Sequence, residues 1–125
     1  MTTTRDDAAS IVVRFNDRIN GRDLDGLARL MTDDHAFIDS AGMRVAGKPH
    51  CLDAWRGFFA AYPDYRNEFA SLRANGDVVA VSGRSVCSVP ALHGPALWTA
   101  RLRDGLVCEW RVHEDTPDTR ARIGL

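Results

Sequence analysis

The stretch Leu97–Val112, LWTARLRDGLVCEWRV, decides the fold. Two runs of mixed apolar and polar residues meet at Asp104-Gly105. Asp-Gly between such runs is among the strongest short-range hairpin signals, because the turn takes residues that tolerate positive φ. Side chains alternate along a strand, so Ala96, Trp98, Ala100 and Leu102 share one face and Leu97, Thr99, Arg101 and Arg103 the other. Beyond the turn, Leu106, Cys108, Trp110, Val112 and Glu114 lie opposite Val107, Glu109, Arg111 and His113. Trp98 and Trp110 are expected to point inward, with Glu114 on their side and His113 outside.

Reading outward, Asn75-Gly76-Asp77 is a second hairpin turn, joining Tyr65–Ala74 to Val78–Val89, and the loop Pro90–Pro95 leads on to Ala96. Four strands in succession make an antiparallel meander. In Val78–Val89 both faces carry apolar residues, Val79 and Val81 on one and Val78, Ala80 and Val86 on the other. Helices cover one face, and a second copy of the chain is expected on the other, giving a homodimer through the outer sheet face.

The first half of the chain has the period of helices. Thr4-Arg5-Asp6-Asp7 fits a capping box ahead of the stripe Ala8, Ile11, Val12, Phe15 and Ile19, which ends at Asn20-Gly21. Asp23 caps a shorter helix with Leu24, Leu27, Ala28 and Met31 on its stripe. The run His35–Gly42, HAFIDSAG, reads as a short strand and turn, with a partner strand at Met43–Val45. Gly47-Lys48-Pro49 opens a third helix whose stripe is Leu52, Trp55, Phe58, Phe59 and Tyr62, and Pro63 stops it. Residues 1–125 form one domain with a core at about 5–115, and 116–125 read as a C-terminal tail. The class is α+β: three helices in the N-terminal half packed on one face of a curved, mostly antiparallel sheet.

Composition excludes several roles. Sixteen basic residues face seventeen acidic ones, spread along the chain for a net charge of -1; a nucleic-acid binder carries a basic stripe or patch. Cys51, Cys87 and Cys108 are isolated among apolar residues and the four histidines are scattered, so neither a disulfide framework nor a metal site is expected. The polar start MTTTRDDAAS is unlike a secretory signal, and no apolar run reaches membrane-spanning length. A cytoplasmic protein with no cofactor, no membrane contact and no nucleic-acid partner is the expectation.

The runs FNDRINGRDLDGLARLMTDDHAFIDSAG, GKPHCLDAWRGFFAAYPDYR, NGDVVAVSGR and RDGLVCEWRVHED resemble the SnoaL-like polyketide cyclase and ketosteroid isomerase-like branch of the NTF2-like superfamily. The resemblance spans roughly residues 8–115. It implies an NTF2-like (cystatin-like) cone, three helices wrapped by a strongly bent sheet around a deep apolar pocket, usually as a dimer. It also places Asp39 at the position of the isomerase's general base. The isomerase's oxyanion-hole tyrosine falls at Phe15 and its protonated aspartate at or near Trp98. Each missing donor costs about 100-fold to 1000-fold in rate, so steroid isomerisation by that mechanism is not expected.

Fold alone does not assign a reaction. Asp39 is the candidate base or acid; the bland alternative is an aspartate bonding the backbone of its own turn, as Asp commonly does. Glu114, inward by parity, and Arg84, whose side is open, are candidate partners of Asp39 in orienting a water; ordinary strand-end charge is their alternative. His35 shares parity with Asp39, yet four residues of strand span roughly 13 Å, too far for a dyad. Phe15, Phe37, Trp55, Phe59, Trp98, Trp110 and Val112 are candidate walls for a small hydrophobic ligand, against a filled core. Two functions follow: cofactor-free isomerase, cyclase or hydrolase chemistry on a hydrophobic carbonyl or polycyclic compound, or a noncatalytic ligand-binding or dimerisation module.

Overall fold

Asp7 opens the first helix of the computed structural model, which describes residues 7–125. Its carboxylate accepts the Ser10 backbone N–H at 2.8 Å. The cap is thus Asp7 itself, and Thr4, Arg5 and Asp6 of the expected capping box lie outside the described residues. Helix α1 (Ala8–Asn20) buries Ile11, Val12, Phe15 and Ile19, its predicted stripe. Asp23 caps α2 (Leu24–Leu30) by accepting the Gly26 N–H at 2.9 Å.

Strand β1 (Met31–Ile38) follows α2 without a loop, four residues earlier than the apolar run suggests. The exposed Asp33 and Asp34 sit where β1 bulges away from its neighbour. Polar residues are accommodated in the strand because they leave the ladder. After β2 (Arg44–Ala46) and α3 (Lys48–Ala61) come β3 (Arg66–Asn75), β4 (Val78–Val86), β5 (Gly94–Arg103) and β6 (Leu106–His113). One six-stranded sheet results, in the order β2-β1-β6-β5-β4-β3, antiparallel except where β1 runs parallel to β6. Helices α1, α2 and α3 gather on one face, over Val79, Val81, Trp98, Ala100 and Trp110. Fully burying each large side chain of this core contributes roughly 1.5–3 kcal/mol.

Two further bulges shape the sheet. At the first, Arg101 pairs with Glu109 and Leu102 with Val107, leaving Cys108 unpaired. The predicted parity therefore fails at the start of β6: Val107 is the buried residue and joins Leu102 in the core. At the second, Phe69 pairs with Gly83 and Ser71 with Ser82, so Ala70 is the extra residue. Bulges bend a strand and increase its twist. The bend brings the backbone so close that a Cβ on Gly83 would overlap the Glu68 carbonyl oxygen.

The edge strand β3 is held to α1 by side chains acting as backbone. Asn20 donates to the Asn67 carbonyl and accepts the Asn67 N–H, both at 2.9 Å, and Asn16 donates to the same carbonyl at 3.3 Å. Arg22, in the left-handed region at φ 53, donates to the carbonyls of Pro63 and Tyr65 at 2.6 Å, Tyr62 at 3.3 Å and Asn20 at 2.9 Å. That network ties the α1–α2 turn to the connection between α3 and β3.

Residues 116–125, expected as a tail, contain α4 (Pro117–Ile123). Thr116 caps it through the Thr119 N–H, Pro117 suits its first turn, Arg120 makes a two-bond contact with Asp115, and Gly124 closes it at φ 86. Ile123 is its only large apolar residue, so no stripe announced it. Helix α4 lies on the outer face, where grooves on its two sides are bounded by sheet residues together with Arg122 and Ile123 or Arg120. Leu97 and Ala80 belong to that face and are buried. The cover expected from a second copy is here supplied in part by the chain's own C-terminus.

Gly83→Ala should lower stability by roughly 2–3 kcal/mol, because a backbone carbonyl cannot withdraw as a flexible side chain would. Arg22→Ala should cost a similar amount through its carbonyl bonds. Urea unfolding measures both, and a loss under about 0.5 kcal/mol in either variant contradicts its account.

Candidate functional site

Between α3 and the concave sheet face lies a cavity of about 580 Å³. Phe37, Trp55, Phe58, Trp98, Trp110 and Val112 form its apolar walls. The chain has three tryptophans, and all of them line this space. Trp55 meets Phe37 and Phe58 edge-on, at 5.7 and 5.8 Å between centroids, an arrangement favoured by ring quadrupoles. Rings held by other rings leave room between the layers.

Two of the expected wall residues are elsewhere. Phe15 is fully buried, 4.7 Å from Trp110 and 5.7 Å from His35 between centroids, behind the wall. Phe59 packs on Trp55 beneath the Arg22 guanidinium. Both follow the apolar stripe of their helices, and a stripe does not tell the layer that faces a cavity from the layer behind it.

The polar features of the wall escaped the sequence reading. Tyr65, Asn67 and Ser85 line the cavity. The Tyr65 and Ser85 hydroxyls are 3.1 Å apart, and Ser85 donates to Asn67 Oδ1 at 3.0 Å. Burial pushes the Tyr65 phenol up, against the opposing pull of its bonds with Ser85 and Asn67, so it holds its proton at neutral pH. The parity of Tyr65, Asn67 and Phe69 at the entry of β3 was the available signal. The second feature is the Trp55 indole: its Nε1–H is buried with no partner among the described residues. Buried donors are nearly always satisfied, and an exception calls for a reason.

Asp39 and Glu114 both line the mouth. Asp39 Oδ1 accepts the backbone N–H groups of Ala41 and Met43, each at 2.9 Å, as the bland reading expects; Oδ2 has no partner among the described residues. Extending the β1–β6 register, in which Ile38 faces Arg111, sets Asp39 opposite Val112 and Glu114 about 7 Å further along. Glu114 is exposed there. Arg84 is not brought to the mouth. It pairs with Glu68 at 3.3 Å and lines a groove on the outer face. The Arg84 position alternates away from the cavity, whereas its neighbour Ser85 faces it.

Other titratable groups play different parts. Burial pushes the Cys51 thiol up and keeps it protonated at the cavity wall. His113 bonds Thr99 at 2.8 Å on the outer face, as its parity predicts. His35 is fully buried, with Nδ1 2.6 Å from the Val107 carbonyl. A carbonyl only accepts, so Nδ1 carries the proton of the neutral ring. No group of three His, Cys, Asp or Glu among the described residues is placed to hold a metal, and no helix among them is long and apolar enough to cross a membrane.

A helix-backed curved sheet around an apolar cavity defines the NTF2-like, cystatin-fold class. Residues 12–119 match the model of the SnoaL-like domain, and the chain belongs to that family. Among solved structures it is similar to a proposed polyketide cyclase of Sinorhizobium meliloti (20% identity, 86% of this chain and 100% of that one, TM-score 0.76). A SnoaL-like protein of Burkholderia thailandensis is 22% identical, over 92% and 100% of the two chains, with TM-score 0.74. An LEH-like epoxide hydrolase of M. tuberculosis is 17% identical, over 93% and 88%, with TM-score 0.75. These identities carry the fold and nothing finer. No curated protein matches the chain by sequence.

Burial holds the His35 pKa below its ordinary 6.5. The unfolded chain therefore takes up the proton first, and stability should fall as pH drops below about 6.5. His35→Leu should flatten that fall between pH 7 and 5, leaving the part due to His113, which burial also holds low. Thermal melts across this range measure it; an unchanged slope in the variant contradicts the assignment.

Proposed function

We propose that the protein binds a flat, largely apolar small molecule carrying a carbonyl group, and acts on it by cofactor-free acid/base chemistry. The observation that supports this most is the 580 Å³ cavity, walled by aromatic rings, with one unpartnered donor, the Trp55 N–H, among its lining residues and a carboxylate at its mouth. Cavities of such size and lining suit small organic ligands. The apolar body lies between Trp98, Trp110 and Trp55. The carbonyl oxygen is met by the Trp55 N–H, or by the Tyr65 hydroxyl once it turns away from Ser85.

In this reading Asp39, through its free Oδ2, removes a proton from the carbon next to the carbonyl. The C–H electron pair becomes the enolate π bond, and the developing charge on oxygen is stabilised by the donor inside the cavity. Asp39 then returns the proton to the same or a conjugated carbon. Phe15 and Trp98, at the positions of the isomerase's donors, take no part: Phe15 has no polar hydrogen, and Trp98 serves as wall.

A second reading, a noncatalytic binding module, is favoured by the two turn bonds of Asp39 Oδ1. α-Tetralone separates the two. Quenching of tryptophan fluorescence reports binding, and loss of its α-hydrogen signal in deuterated water reports proton removal. Wild type should bind it saturably and speed the exchange, and Asp39→Asn should abolish the exchange while keeping affinity within about threefold. Binding with no exchange in wild type selects the noncatalytic module; absence of saturable binding counts against both. Tyr65→Phe and Trp55→Phe should each weaken the ketone more than the parent hydrocarbon tetralin, by about fivefold to tenfold for the residue that meets the oxygen.

A further inference from the structure

The outer face of the sheet carries a second concavity, away from the apolar cone. The β3–β4–β5–β6 register aligns Arg73, Ala80, Thr99 and Arg111 in one cross-strand row, and Asn75, Val78, Arg101 and Glu109 in the next. Alternate rows share a face, so all eight point outward together. Arg122 and Ile123 of α4 close one side, bounding a groove of about 350 Å³. Small residues, Ala80, Val78 and Thr99, form the floor, and arginines stand on both sides. Arg73 and Arg111 arise from strands about 14 Å apart, a gap that two arginine side chains are long enough to narrow to the width of a small anion.

Most of the positive charge in this groove is unpaired. Elsewhere Arg18, Arg56, Arg66, Arg84, Arg103 and Arg120 each have a carboxylate within 4.0 Å. Here Arg101 meets Asp77 at 3.6 Å, while Arg73, Arg111 and Arg122 have no carboxylate partner among the described residues. Glu109 is the one acidic residue in the lining. Arg111 and Arg122 also disfavour the protonated form of His113 beside them. Cations gathered on a small floor repel one another, and an anion between them removes that cost.

We propose that this groove is a binding site for a small phosphate-bearing anion, held between Arg73 and Arg111 with Arg122 closing over it. Guanidinium groups match phosphate oxygens in two-bond geometry, and Thr99 and Asn75 add uncharged polar groups at the floor and rim. A second copy of the chain is a poorer occupant: a two-fold contact is self-complementary, and the lining offers the single carboxylate of Glu109 against Arg73, Arg101, Arg111 and Arg122. A nucleic acid needs a longer basic track than this chain, at net charge -1, provides. The proposal is independent of the chemistry in the cone.

Calorimetry with pyrophosphate tests it, beside sodium chloride at matched ionic strength. One pyrophosphate should bind per chain, and Arg73→Gln with Arg111→Gln should weaken it at least about 30-fold. The charge-matched pair Arg29→Gln with Arg44→Gln, remote from the groove, should change it less than about threefold. Equal weakening in the two double variants, or no saturable heat, overturns the site. So does a two-chain mass in sedimentation that falls to one chain only in the Arg73 and Arg111 variant, which gives the groove to a second copy. Given a site, phenyl phosphate binding tighter than inorganic phosphate assigns it to a phosphate ester, and the reverse order to the free anion.

Discussion

The close approach of the Glu68 carbonyl to Gly83 governs the shape of this protein. With Ala70 inserted opposite it, β3 bends where a regular ladder would continue flat, and the sheet curls toward the helices. A flat sheet under α1 and α3 would be filled by Trp55, Trp98 and Trp110. On a curved one those rings become walls. Any side chain at Gly83 pushes the two backbones apart at the bend, so the cavity depends on a residue that does not touch it.

The bend would be of little use if the edge strand were free to straighten. Asn20 supplies β3 with the amide pairing that a further strand would otherwise give, and Arg22 fixes the chain entering it by gathering carbonyls from both sides of the α3–β3 connection. A non-glycine residue at positive φ costs about 1–3 kcal/mol, and several charge-assisted bonds at Arg22 offset it. One consequence reaches the cavity wall directly: the backbone of Asn67 is held by Asn20, which leaves its side chain to organise Ser85 and Tyr65. The clamp outside and the polar patch inside are two sides of one residue.

The two sheet faces have opposite chemistry for a simple reason. The inner face is mostly apolar, and its polar groups are few and mostly bonded to one another; a donor without a partner there, such as the Trp55 N–H, is costly unless a ligand meets it. The outer face carries α4, a short polar helix, with Leu97 and Ala80 buried on that face and arginines standing on either flank of the helix.

By itself the chain determined the order of helices and strands as far as β6, since hairpin turns at Asn75-Gly76 and Asp104-Gly105, proline stops and two hydrophobic periods are local properties, while α4, with no apolar stripe, left no such mark. It also determined that Trp98 and Trp110 point inward and that Asp39 stands at the end of β1, because parity follows from the backbone. Tertiary structure decided what parity cannot: whether an inward residue faces a cavity, as Trp55 does, or the layer behind it, as Phe15 does. It decided the bulge at Cys108 that turns Val107 inward, since a bulge reflects how two strands fit rather than what either one contains. It decided as well that Arg84 answers to Glu68 and not to Asp39, and that Tyr65, Asn67 and Ser85, from two strands, make one polar patch. Such partnerships depend on which surfaces a bent sheet brings together, and no local pattern records them.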